Sequence, residues 1–288
     1  MPELPEVETI RRGLLAGILA RPIDRPDIRQ PALRWPVPVP ELTHALTGAR
    51  FHTLDRRGKY LLFGIDPTGW LLVHLGMSGS LHLLEHDTPW QKHDHWDIVF
   101  VDGGRLRYRD PRRFGAALWV PDTPLAHPLL RSLGVEPLTD ACTGDVLYRQ
   151  ASRRRQVVKL LIMDGTVVVG VGNIYASEAL FRARIHPHTP ARDLDPDTCG
   201  RLAQAIKETL SAAIVCGGTT LRDFSHSDGR PGYFQQQLAV YGRTGAPCPV
   251  CQTLIEGVRT CQRSTFFCPH CQIRPGYTGN GSRENRQS

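Results

Sequence analysis

The sequence predicts an α+β chain, with one N-terminal helix and a β domain followed by a helical domain and a small cysteine module. Three observations predict it. Apolar residues recur at helical spacing near the start, short alternating segments fill residues 49–120, and helical patterns replace them after residue 137. At 288 residues and 32.1 kDa the chain is long enough for two cores.

Val7, Ile10, Leu14 and Ile18 share one face of a helix over residues 5–19, with Pro5 in the first turn and Glu6 and Glu8 complementing the dipole. The Pro-rich stretch over residues 20–42 is irregular connection, with one edge strand expected over residues 28–33. Between residues 49 and 120, runs such as RFHTLDRRGKYLLFGID and HWDIVFVD are separated by Gly and Asp-Gly turns, which suits a sandwich or flattened barrel. Helices are expected over 143–164, 173–183 and 195–218, placing the domain boundary between residues 130 and 140. Residues 244–271 form the cysteine module, and the segment after it has too little apolar content to join a core.

No apolar run reaches the ~18 residues that span a bilayer, and the N-terminus lacks a basic and apolar leader, so a soluble cytoplasmic protein is expected; it is taken as a monomer, a state that these features do not themselves determine. The formal net charge of +7 and pI near 9.1 favour a polyanionic partner. Four of the basic residues are lysine (Lys59, Lys92, Lys159, Lys207) and the other 31 are arginine.

The strongest motif is CPVC at 248–251 with CPHC at 268–271. Each pair can direct two thiolates at one ion, and the 16 residues between them can fold back as a hairpin. Cys248, Cys251, Cys268 and Cys271 are thus read as ligands of one structural Zn2+ with no open position, with Arg259, Arg263, Phe266 and Phe267 displayed on the hairpin. Cys142, Cys199, Cys216 and Cys261 read as inert thiols.

Three other segments admit two readings each. GVGN at 170–173 is either an ordinary capped helix start with Asn173 near the cap, or a helix terminus offering backbone N–H groups to a phosphate. RRR at 153–155, placed on the helix of Lys159, is either a solvated face or a phosphate clamp. Met77, between Gly76 and Gly79, and Arg112, Arg113 and Phe114, at the tip of an expected hairpin, either fold back on their own domain or form a wedge for unstacked bases.

MPELPEVET, RRGKYLL, HLGMSGSL, KHDHWD, DPRRFG, GVGNIYASE, the segment from GGTTLRDF to DGRPGYFQQ, and the paired C-x-x-C with QRSTFFC between occur in that order over residues 1–272. This series resembles the formamidopyrimidine-DNA glycosylases of the Fpg/Nei family. The resemblance implies a β-sandwich, a helix-two-turn-helix domain and a zinc-finger hairpin around a DNA cleft, with domains over 1–136, 137–243 and 244–272; residues 273–288, longer than the usual family ending, are read from their composition as a disordered tail. It implies a bifunctional DNA glycosylase and abasic-site lyase that excises oxidised purines from double-stranded DNA.

By the same resemblance Pro2, freed by removal of Met1, is the nucleophile that forms a Schiff base, and Glu3 is the general acid and base. An α-amine, with a pKa of about 8 against about 10.4 for lysine, suits that work near neutral pH. Lys59 is implied on the lesion side and in β-elimination, and Arg263 in δ-elimination. His93, Arg113, Arg154, Lys159 and Asn173 are implied DNA-backbone contacts, and Met77, Arg112 and Phe114 the trio filling the gap left by an everted base. The loop SHSDGRPGYFQQQ at 225–237 favours the purine-specific branch over a Nei-like pyrimidine enzyme. A non-enzymatic zinc-ribbon nucleic-acid binder is the alternative from another class.

Overall fold

The computed structural model describes residues 2–67, 69–86, 88–218 and 237–273. The expected lesion loop, with Ser225, His226 and Ser227, and the C-terminal tail therefore lie outside the described residues, apart from Gln237 and Ile273. Helix α1 (Leu4–Ile18) precedes β1 (Ile23–Ile28), α2 (Val39–Leu46) and seven further strands: β2 (Arg50–Arg57), β3 (Tyr60–Asp66), β4 (Trp70–His74), β5 (Ser80–Leu84), β6 (Asp94–Phe100), β7 (Arg105–Arg109) and β8 (Ala116–Val120). The strands form two antiparallel four-stranded sheets, ordered β2-β3-β4-β8 and β1-β6-β7-β5. The edge strand falls earlier than residues 28–33, because Ile23–Ile28 pairs with β6 and buries Ile23.

Between the sheets lie Phe51, Phe63, Leu71 and Val73 from one side and Ile98, Phe100, Leu106 and Tyr108 from the other. The helical spacing of α1 brings Val7, Ile10, Leu14 and Ile18 into that same core. Leu4, one turn earlier, is fully buried in a different core, built from α3 (Gly144–Ala151), α4 (Val158–Met163), α5 (Asn173–Arg182) and α6 (Pro196–Val215). One helix thus enters both cores. Its start is joined to the helical part by the Leu4 N–H, which donates to the Gly170 carbonyl at 3.0 Å.

The segment 143–164 is two helices, not one. Arg153, Arg154 and Arg155 occupy the break, where the Arg154 N–H closes a turn on Ala151 and the Arg154 carbonyl accepts from Arg192. The arginine run therefore lies off the helix that carries Lys159. The segment 110–115 is likewise no hairpin tip, because β7 and β8 belong to different sheets. It crosses the sandwich, as the segment 75–79 does between β4 and β5.

The C-terminal hairpin pairs β9 (Glu256–Thr260) with β10 (Arg263–Phe267), with Arg263 opposite Thr260 across the turn at Cys261 and Gln262. Phe267 is buried and Phe266 packs edge-on to Tyr241 at 4.9 Å, so this aromatic pair anchors the hairpin and is not displayed on it. Among the described residues no helix is long and apolar enough to cross a membrane.

Replacing Leu4 with Ala removes a fully buried side chain from the helical core. It is expected to lower stability by about 2–5 kcal/mol, read as a drop in the denaturant midpoint.

Candidate active site and nucleic-acid interface

Pro2 is buried at the head of α1, and Glu3 beside it is 2% exposed. The Glu3 carboxylate accepts from three backbone groups at the start of α5: Gly172 N–H at 2.8 Å, Ile174 N–H at 3.0 Å and Tyr175 N–H at 3.4 Å. The helix terminus that could have received a phosphate is therefore occupied by the protein's own carboxylate. Gly172 holds the N-cap position, with Asn173 as the first helical residue.

The GVG turn is explained by what packs on it. A Cβ on Gly172 would lie 2.2 Å from the Glu3 side chain, and one on Gly170, whose φ is +82°, would lie 2.6 Å from Leu4. Glu6 completes the arrangement, accepting from the Glu3 N–H at 2.8 Å and the Tyr175 hydroxyl at 2.6 Å. Its part in starting the helix is real, and it also ties that start to α5.

Burial pushes the Glu3 carboxyl above its ordinary value; Lys59 and the backbone N–H bonds pull it back, while Glu6 adds to the rise. A carboxyl so raised can hold or release a proton closer to neutral pH than a solvated glutamate can. Burial pushes the half-buried Lys59 below the ordinary lysine value; the charges of Glu3 and Glu6 oppose this and Arg263 adds to it. Lys59, on the β2–β3 turn, thus feels the charges of both Glu3 at the chain start and Arg263 on the hairpin.

The Lys59 turn is braced by acids that its sequence context did not reveal. Glu136 accepts from Gly58 N–H at 2.6 Å, Arg56 Nη1 at 2.9 Å and Arg57 Nη1 at 3.0 Å. Arg56 Nε also donates to Glu8 at 3.0 Å. Burial alone would raise Glu8, but Arg11, Arg12 and Arg56 hold it down to about 2. Glu8, expected to complement the helix dipole, lies beyond the first turn, where Glu6 alone is acidic, and acts instead as an ionic brace; Arg56 and Arg57 are occupied inside the protein.

Met77 and Phe114 are 37% and 44% exposed, on the two segments that cross the sandwich. Both segments are gathered by the fully buried Asp110, whose carboxylate accepts from Ser78 Oγ at 2.7 Å, Gly115 N–H at 2.9 Å, and Arg112 N–H and Tyr108 hydroxyl at 3.2 Å. The Arg112 guanidinium stands 5.0 Å over the Phe114 ring, and Arg113 is exposed next to it. Half-buried His93 joins this face through its carbonyl, which accepts from the Asp110 N–H at 3.0 Å. Desolvation and the neighbouring Lys92 and Arg109 charges lower the imidazole's proton affinity.

Lys159 does not stand on a surface. It is 1% exposed, and its ammonium donates to the Ser264 carbonyl at 2.9 Å and to Thr265 Oγ1 at 2.8 Å. The resemblance implies a DNA contact here; in the structure the side chain forms a clasp between α4 and the hairpin. Burial and the Arg263 charge depress it to about 8, with Glu3 opposing. Asn173 Nδ2 donates to the same Ser264 carbonyl at 2.9 Å. Arg154 is half-buried and faces Asp164 at 3.7 Å. Arg263 is exposed at the start of β10.

The sulfur atoms of Cys248, Cys251, Cys268 and Cys271 all lie within 4.8 Å of one another, with separations of 3.9 Å for Cys248–Cys271 and 3.5 Å for Cys251–Cys268 and Cys251–Cys271. Four thiolates about 2.3 Å from a tetrahedral zinc would be separated by about 3.8 Å, so the donor set fits one closed zinc site. Val250 N–H and Cys271 N–H each approach a ligand sulfur at 3.4 Å, which steadies the thiolates.

A methyl group at Gly172 would collide with Glu3. Gly172→Ala is expected to cost about 1–3 kcal/mol in stability and to reduce turnover on a lesion-bearing duplex at least tenfold, checked by unfolding and single-turnover assays. Cys268→Ser is expected to lose zinc and duplex binding while both larger cores stay folded, checked by metal analysis, fluorescence anisotropy and circular dichroism.

The comparisons with known proteins follow the same three parts. The family description "Formamidopyrimidine-DNA glycosylase N-terminal domain" matches residues 1–117, "Formamidopyrimidine-DNA glycosylase H2TH domain" matches 133–225, and "Zinc finger found in FPG and IleRS" matches 245–273. A formamidopyrimidine-DNA glycosylase of Laribacter hongkongensis is 54% identical over 272 residues, covering 94% of this chain and all of that protein. The crystal structure of MutM (Fpg) from Thermus thermophilus superposes with a TM-score of 0.84 at 39% identity, over 95% of this chain and 99% of that one. Lactococcus lactis Fpg, at 34% identity, has been solved with DNA containing Fapy-dG (TM-score 0.87, 95% and 100% covered), an abasic site (0.87, 94% and 100%) and an oxidised pyrimidine (0.86, 95% and 100%). With the sandwich, the helical core and the four-cysteine hairpin all accounted for by one set of relatives across nearly the whole chain, the protein belongs to the formamidopyrimidine-DNA glycosylase family.

Proposed function

We propose that this protein is a bifunctional DNA glycosylase and abasic-site lyase of base excision repair, acting on oxidised purines in double-stranded DNA. The observation that carries the reading is the chain start itself, where Pro2 is set beside a buried Glu3 whose carboxylate is fixed by three N–H groups of α5. The proposed unit for chemistry is residues 1–136; residues 137–243 and 244–272 are the proposed DNA-gripping units, and the segment after them has no assigned role.

Once Met1 is removed, the Pro2 nitrogen is a secondary amine with a free lone pair. It attacks C1′ of the damaged nucleotide, the C1′–N bond to the base breaks, and the base leaves with a proton delivered from the site. The attacking nitrogen gives up its proton, and its lone pair forms an iminium at C1′ as the C1′–O4′ bond breaks and O4′ takes up a proton; the positive charge of the iminium acidifies the C2′ protons. Removal of one of them expels the 3′ phosphate by β-elimination, and a second elimination expels the 5′ phosphate. Glu3, buried and raised in proton affinity, is the group proposed to move protons at the sugar. Lys59, lowered in proton affinity, is proposed for the lesion side and β-elimination, and Arg263 for the phosphate released by δ-elimination.

The rim residues divide into two proposed tasks. His93, Arg113 and Asn173 hold the backbone, with a weaker share for Arg154, which faces Asp164. Met77, Arg112 and Phe114 fill the space of the everted base, a use that explains why two large apolar side chains stand in water on rigid turns. The zinc serves as a closed structural ion holding the hairpin that bears Arg263. The oxidised-pyrimidine complex of the L. lactis relative supports a lesion range extending past purines.

Borohydride added during incubation of Met-free protein with an 8-oxoguanine:C duplex is expected to trap a covalent protein–DNA adduct; its absence would sink the enzyme reading. Lys59→Ala is expected to impair 8-oxoguanine excision at least tenfold more than cleavage of a preformed abasic site. Equal losses on the two substrates would contradict a separate lesion-side role.

A further inference from the structure

The hairpin that carries Arg263 is clasped at its base by the cysteine cluster, and at its tip by a line of hydrogen bonds that no part of the proposed chemistry uses. The Lys159 ammonium donates to Thr265 Oγ1 at 2.8 Å, Thr265 Oγ1 donates to Thr260 Oγ1 at 3.0 Å, and Thr260 Oγ1 lies 2.6 Å from His188 Nε2. The ammonium can only donate, and the Thr265 hydroxyl that accepts from it points its proton toward Thr260 Oγ1 and, at 3.5 Å, the Arg263 carbonyl. In the tautomer that carries its proton on Nδ1, His188 Nε2 accepts from Thr260 and ends the line. Thr265 is fully buried, Lys159 is 1% exposed and His188 is half-buried, so water is a poor substitute for these partners.

The residues at the two ends come from backbone segments that are already fastened together. His188 belongs to the turn after α5, where the Thr189 and Pro187 carbonyls accept from Val158 N–H at 2.8 Å and Lys159 N–H at 3.4 Å. The helical unit thus presents an ammonium and an imidazole from a single platform, and the hairpin spans the gap between them with two hydroxyls. Thr260 is the cross-strand partner of Arg263 at the last pair before the turn. Cross-strand partners direct their side chains to one face, and Thr265, two residues along the strand, shares that face. Fixing the two hydroxyls therefore fixes the face from which Arg263 projects.

We infer that His188 is a positioning residue for Arg263, acting through Thr260 and Thr265 to hold the hairpin tip against the site. The inference rests on the proposed lyase reading, because its effect falls on the step assigned to Arg263. Removal of His188 leaves the Thr260 proton without its acceptor and lets the strand end drift, while Pro2 and Glu3, held by α5, keep their places. Schiff-base formation is then preserved and the second elimination is slowed.

The test measures two quantities on a duplex with a preformed abasic site: the borohydride-trapped adduct and the ratio of δ- to β-elimination product. His188→Ala and Thr260→Val are expected to trap adduct at the wild-type level while the δ to β ratio falls about fivefold, the size of one net hydrogen bond. Thr260→Ser keeps the hydroxyl, and His188→Gln keeps an acceptor; both are expected to recover the ratio. An unchanged ratio in zinc-replete His188→Ala protein would overturn the inference, and because His188 lies outside the hairpin this holds even if Thr260→Val fails to retain metal. Equal recovery by Thr260→Ser and Thr260→Val would overturn it as well. Failure of the wild-type protein to trap adduct would instead remove the lyase reading on which the inference stands.

Discussion

A buried carboxylate at a helix start is the constraint on which this structure turns. Glu3 accepts three N–H groups from α5 and sits one residue after Pro2, so the contact that joins the chain start to the helical unit also fixes the place of Pro2. The macrodipole of α5 and its unsatisfied N–H groups favour the anion, and burial disfavours it. The upward shift of Glu3 shows that burial dominates this balance. One side chain thus serves as an anchor between the chain start and α5 and is a carboxyl of raised proton affinity, which suits the proton transfers proposed for it.

The helix α5 extends that logic over its whole length. Its first turn receives Glu3, Asn173 reaches the Ser264 carbonyl of the hairpin, and the Glu178 carboxylate, one turn on, accepts from the N–H groups of Ala239, Val240 and Tyr241 at 2.8–3.0 Å. Three separate stretches of chain are therefore indexed to one rigid rod. Burial raises the Glu178 carboxyl too, against the pull of those three backbone groups. The same device, a buried acid accepting from a row of backbone N–H groups, thus appears twice along α5.

The elements most readable in the sequence were those governed by local periodicity and spacing. The α1 stripe, the alternating strands and the paired C-x-x-C needed no knowledge of distant chain. What could not be read depended on partners far away in sequence. Nothing around Glu136 announces that it braces the Lys59 turn, nothing around Asp110 announces a four-donor hub, and Lys159 looks like any surface lysine until the hairpin closes over it. GVGN was legible as a helix entry, but its occupant was not, because the carboxylate that fills it lies 169 residues upstream. The crossing of residues 110–115 between two sheets was hidden for the same reason, since adjacent strands need not pair with each other.

That crossing has a mechanical meaning. The segments bearing Met77 and Phe114 each have one foot in either sheet, and Asp110, directly after β7, ties them together through Ser78 and Gly115. A push on either tip is thus shared by both sheets and by the packed side chains between them, which resist compression as an organic crystal does. In the proposed use of these tips against a duplex, the load would therefore be carried by the whole sandwich and not by one loop.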